Sequence, residues 1–235
     1  DTLTRELFAE WRNARRGSAN PGRMNNPLWE WLIESRWSAY SVNHHFKGPS
    51  PFKAGPGWCF TRFGRSTTQL PDGRSVMIGC EHEDYYDPDF FIYNDVVVRH
   101  PDGKLDIYGY PPEVFPPTDF HSATLVGNRI VVIGCLGYST ERKAGDPRVA
   151  LLDLKTFAIT QVKTSGTSPG WIYKHTAELS ESGDSVVVRG GRVFTPGEDA
   201  VDVENIDEWR LHLADWHWER LTQRQWQQWE LRRQD

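Results

Sequence analysis

The sequence predicts a mainly β fold assembled from three successive repeats behind a short helical N-terminal segment. Three observations carry this. Apolar runs ending in glycine recur as SVMIGC (75–80), IVVIGC (130–135) and VVVRGG (186–191), with Gly79 to Gly134 spanning 55 residues and Gly134 to Gly190 spanning 56. A short polar strand and a turn precede each run: 66–70 with Pro71, Asp72 and Gly73, 121–125 with Gly127 and Asn128, and 175–179 with Ser182, Gly183 and Asp184. These turn residues tolerate positive φ, as hairpins require. Downstream, 152–162 aligns with 211–221, so that Ile159 and Trp218 each stand seven positions after a leucine, and the first repeat offers instead a Pro101-Asp102-Gly103 hairpin. Such self-similarity at a fixed period takes precedence over any local motif.

The elements follow in order. Leu3, Leu7, Phe8 and Trp11 recur at helical spacing, which predicts a helix from Leu3 to Arg16 stopped by Gly17. Residues 18–26 read as a polar linker. Asn26 offers an N-cap and Pro27 suits the first helical position, so a second, nearly all-round apolar helix is expected through Trp37 to Tyr40. Pro and Gly in 47–57 mark the boundary to the β-body, and Leu70, Leu125 and Leu179 keep one phase through the repeats. The tail 223–231, with Trp226 and Trp229 three apart, suits a short C-terminal helix. The division expected is a helical segment 1–50 packing on the body, repeats over 51–222, and a helical tail over 223–235.

A strand, a turn, an apolar strand ending in Gly-Gly, a variable loop and then a leucine-rich strand, turn and Trp together resemble the kelch repeat of β-propellers. The resemblance covers roughly residues 57–222; Gly-Gly is complete only at Gly190-Gly191, and the Trp persists only at Trp218. It implies a partial or small β-propeller, since closed propellers ordinarily have about four to eight blades. The exposed edges of a three-blade stack then need covering: by the N-terminal helices and the Trp-rich tail, by a fourth blade from N-terminal segments, or by a second chain. The resemblance also gives His121 and His175, aligned with Ser66, a structural role in which a ring nitrogen bonds within a blade or to its neighbour.

Composition narrows the function. A net charge of −5 argues against a nucleic-acid binder, which would present a basic stripe. No apolar run is long enough to span a bilayer. Three cysteines without a CxxC pair fit buried thiols in a reducing, cytoplasmic setting. GTSPG (166–170) matches the GxSxG nucleophile pattern, but Pro169 lacks the N–H that the oxyanion hole needs. Pro169-Gly170-Trp171 instead echoes Pro56-Gly57-Trp58 as a packing corner. No catalytic residue and no cofactor is expected.

The conspicuous cluster follows the first glycine: residues 81–95 hold six acidic side chains and no Lys or Arg. On a blade this is a rim loop, where binding surfaces sit. Glu81, Glu83, Asp84, Tyr85, Tyr86, Asp87 and Asp89 are the candidate partner-binding residues. A metal is not expected; His82, Asp84 and Asp87 come nearest to a ligand set, and the spacing excludes an EF-hand. The loops 138–147 and 195–207 would complete the surface, the first and third loops being acidic and the middle one carrying Arg142 and Lys143, with Arg148 directly after it. The reading is a non-catalytic module that binds another protein, a basic one if charge decides, for example as an immunity-type inhibitor of a toxin. A carbohydrate-binding or carbohydrate-acting propeller and a fragment completing a larger ring are the alternatives.

Overall fold

The computed structural model describes residues 3–82, 89–196 and 201–225. The fold is mainly β, with four sheets in a propeller-like arrangement and four short helices at the N-terminal end. Among the described residues no helix is long and apolar enough to cross a membrane.

Helix α1 runs over Arg5–Trp11, capped by the Thr4 hydroxyl, which accepts from the Leu7 amide. It stops short of Arg16 because residues 54–58 take over the backbone: Trp58 N–H donates to Arg12 O at 2.6 Å and Ala14 N–H to Pro56 O at 3.2 Å. Helix α2 (Pro27–Ser35) starts as its sequence dictates, with Asn26 Oδ1 accepting from Trp29 N–H at 2.9 Å. It ends at Arg36, whose left-handed backbone closes the last turn, and Ser38 caps a separate helix α3 (Ala39–His45). A single turn, α4 (Pro51–Ala54), occupies the Pro- and Gly-rich stretch. Residues 18–26 are more than a linker, since Gly22–Arg23 adds an outer strand to the first sheet against Tyr108 and Gly109.

Each of the three repeats forms an antiparallel blade. The inner strands Ser66–Gln69, Ser122–Val126 and Thr176–Leu179 pair with Ser75–His82, Arg129–Ile133 and Ser185–Arg189. The inner strands of neighbouring blades also lie against one another. Pairing refines the repeat alignment: Ser66 faces Ile78, Ser122 faces Ile133 and Thr176 faces Arg189, each one residue before the key glycine. Ser66, Ser122 and Thr176 are therefore equivalent. The first repeat is one residue out of the phase its leucines imply, and Arg65 stands where the other repeats place histidine.

The fourth sheet is not built from the N-terminal segments. It comprises Ile172–Tyr173, Arg192–Thr195 and Val201–Glu204. Its first pairing repeats one in the first blade, where Arg62–Phe63 lies against Glu81 and His82 beyond Gly79. The third repeat thus interrupts its central strand at Gly190-Gly191 and extends the remainder as a separate small sheet.

Three apolar clusters hold these parts together. One lies between the first and second blades, around Val76, Ile78, Val96, Ile130, Val132 and Leu152. Another lies between the second and third blades, around Val131, Ile133, Val186, Val188, Leu211 and Trp218. The third binds the helices to the first sheet, with Phe8, Leu28, Trp29 and Leu32 against Met77, Tyr93, Val97 and Ile107. Trp29 stacks on Trp58 with ring centroids 4.6 Å apart, a geometry worth about 0.5–1.5 kcal/mol beyond the area buried.

Candidate binding face

The antiparallel order places the 71–73, 127–128 and 182–184 turns at one end of the blades. The segments following Gly79, Gly134 and Gly190 leave the opposite end. Each glycine has positive φ, at 57°, 72° and 61°. At the first two, close approach adds a second requirement, because a Cβ on Gly79 would meet Thr118 O at 2.3 Å and one on Gly134 would meet Ile172 O at 2.2 Å. The residue after each bonds to the next blade's entry: Cys80 N–H donates to Thr118 O at 2.7 Å and Cys135 N–H to Ile172 O at 3.1 Å. A ladder runs through the equivalent positions Gly64, Phe120 and Lys174, where Phe120 N–H donates to Gly64 O and Lys174 N–H to Phe120 O, both at 2.8 Å.

The conserved-looking chemistry of the repeats is spent inside this framework. His121 Nε2 bonds Ser66 Oγ across the first blade boundary at 2.8 Å, and His175 Nε2 bonds Ser122 Oγ across the second at 2.8 Å. Burial holds both imidazoles neutral, His121 down at about 3 with a further contribution from His175, and His175 at about 4. Burial also pushes the Cys80 and Cys135 thiols up to about 12, far from a reactive thiolate. Trp58 and Trp171, of the twin Pro-Gly-Trp elements, are both 1% exposed.

Each of these corners is anchored by an arginine that sequence reasoning missed. Arg62 pairs with Asp95 through two bonds of 2.6 and 2.9 Å, and its guanidinium lies 3.4 Å from the Tyr93 ring centre and 4.8 Å from that of Trp58. Arg148 sits 4.8 Å from the Trp171 ring centre and pairs with Glu141 at 2.9 Å. Nothing in the spacing of Arg62 and Asp95 announces their meeting; only the shared Trp-corner repeat would have pointed to it.

The candidate residues fall into three groups. Glu83, Asp84, Tyr85, Tyr86 and Asp87 lie outside the described residues. Glu81 is half-buried at the strand end, and the structure brings it to Asp119, which is fully buried and accepts from Gly137 N–H at 2.7 Å. Burial first, and then the facing carboxyl of Asp119, raise the Glu81 pKa; burial raises that of Asp119 as well. Lys174 and Arg142 supply the nearby positive charge. Asp89 is half-buried away from this pair, on the wall of a cavity beneath the helices. His82 is buried at 3% exposure, and among the described residues no three His, Cys, Asp or Glu converge as a metal would need.

The first two segments meet at this end. Phe90 packs edge-on against Tyr138 with ring centroids 5.9 Å apart, and Ile92 N–H donates to Tyr138 Oη at 2.8 Å, joining the first loop to the second. Arg16 clamps the base of the first loop by donating to Ile92 O at 2.7 Å and Asn94 Oδ1 at 2.9 Å. In the third segment several acids are occupied internally: Tyr173 Oη donates to Asp202 at 2.5 Å, and Asp207 binds Arg220, Thr222 and the Arg224 amide. Compared with known proteins, the chain matches no family model, and no curated protein is significantly similar to it in sequence.

Proposed function

We propose that the chain is a non-catalytic binding module of kelch type that engages a protein partner through the end of the propeller where its three long segments emerge. The observation that carries this reading is the division of labour between the two ends of the blades. One end is closed by tight turns. At the other, three long segments of unlike sequence leave a riveted row of inner strands. Function on rigid β scaffolds concentrates in such loops, although a fold alone assigns none.

The chemistry available in the framework supports binding over turnover. Its two ring-bonded histidines are neutral and engaged with serines, and the two thiols beside the glycines are protonated. The partner class is a basic protein surface, because Glu83, Asp84 and Asp87 stand in the first segment's sequence without a Lys or Arg, whereas Glu81, Asp89 and Asp95 are spent elsewhere. An inhibitor of immunity type, covering a basic toxin, belongs to this class.

The test is capture from the native lysate by the tagged chain beside its Glu83→Ala/Asp84→Ala/Asp87→Ala variant. The account expects one stoichiometric protein that is lost with the variant and weakens as salt rises. Equal capture by both chains, or none by a folded wild type, would overturn it.

A further inference from the structure

A cavity of about 270 Å³ lies between the N-terminal helices and the corner at Trp58. Its walls are mostly apolar, formed by Phe8, Leu28, Leu32, Ala39, Val42 and Trp58. Exposed Tyr40, at 76%, also contributes to its lining. The volume stands just below the roughly 300–1,000 Å³ typical of small-molecule sites, and apolar walls with a few fixed polar groups are their usual composition.

The polar group that matters is Arg12, which lines this cavity and is only 7% exposed. Its Nη1 donates to Asn13 Oδ1 at 2.8 Å and Ala54 O at 3.4 Å, both neutral acceptors, while Nε is buried with no hydrogen-bond partner. The contrast with Arg62 is direct: Arg62 is buried with Asp95 in a two-bond pair, and Arg12 is buried with no ion pair among the described residues. Asp89 is the acidic residue among the described walls and does not pair with it. Asn43 Oδ1, from another wall residue, also lacks a partner. A buried guanidinium without an anion is costly, and a bound carboxylate relieves that cost through charge-assisted bonds.

We infer that this cavity is a binding site for a small carboxylate with a compact apolar tail, the carboxylate meeting Arg12 and the tail lying among Leu28, Leu32, Val42 and Trp58. The site shares Asp89 with the first segment but none of its other candidate residues, and either reading can fail without the other. The carboxylate supplies the missing negative charge. An uncharged ligand of equal size would fill the apolar volume and leave the guanidinium without a counter-charge.

The experiment is a tryptophan-fluorescence titration of the intact chain with octanoate and with octan-1-ol, since Trp58 forms part of the wall and stacks on Trp29. The expected result is saturable binding of octanoate at least about tenfold tighter than that of octan-1-ol, the scale of one charge-assisted contact. Arg12→Gln should erase that preference. Arg12 also holds Ala54, so a second variant, Ala39→Leu, fills the cavity without touching the guanidinium; it should keep its melting temperature and lose octanoate binding. Equal affinity of wild type for the two ligands, no saturation by octanoate, or octanoate binding undiminished in Ala39→Leu would each overturn the assignment.

Discussion

At the scale of single residues, the stability of the joined inner strands is tied to protonation at His121 and His175. Both are held well below the ordinary imidazole value by burial, so the folded chain refuses protons that the unfolded chain accepts below pH 6.5. Stability is therefore intact above that pH and lost as pH falls, by ~1.4 kcal/mol per pH unit for each histidine, until the folded values near 3 to 4 are reached. Glu81 and Asp119 act in the opposite direction, because their raised values favour the folded state as acid is added. The clean comparison is thus between wild type and His175→Gln in urea melts from pH 7 to pH 5. The variant should show a shallower loss by one proton's slope, and an unchanged slope would mean that His175 is not the buried neutral group described. Arg62 makes a second residue-scale prediction. Asp95→Ala leaves that guanidinium unpaired at 1% side-chain exposure, and should cost about 3–5 kcal/mol in denaturant unfolding.

At the scale of elements, the glycines that end the central strands differ in what they do. A Cβ on Gly134 meets the Ile172 carbonyl, whereas one on Gly190 meets nothing within 4 Å and suffers only its positive φ. Gly190→Ala should cost about 1–2 kcal/mol, the ordinary left-handed penalty, and Gly134→Ala clearly more, as read by urea midpoints; equal costs would contradict the close inter-blade approach. These strands and their turns were legible in the sequence because the 55- and 56-residue spacing repeats the physics of one hairpin three times. The helices were legible at their starts and not at their ends. Asn26 and Pro27 carry a local capping signal, while α1 is cut short at Trp11 by a distant partner, the 56–58 segment, which no local window contains. For the same reason the repeat alignment slipped by one residue at Ser66: leucine phase is local, and strand register is set by pairing with Ile78. The candidate site was half legible. The run of acids is plain in 81–95, but Glu81 turns to Asp119, 38 positions on, and Arg62 and Arg12 gain their meaning only from burial.

At the scale of the whole molecule, the chain is a propeller-like set of sheets with unlike ends, its inner strands riveted in a row, and the helices cover one face of its first sheet. That arrangement explains how a propeller-like body carries only three repeats: the gap in sheet number is met by residues of the third repeat itself, 172–173, 192–195 and 201–204. The partner-binding account makes a spatial claim, that contact falls on the end where 81–92, 136–148 and 192–204 emerge. Hydrogen exchange of the chain with and without its captured partner tests this most directly. Protection is expected in those three segments together, with the turns at 71–73, 127–128 and 182–184 exchanging as before. Protection confined to the turn end, or to none of the three segments, would contradict the account.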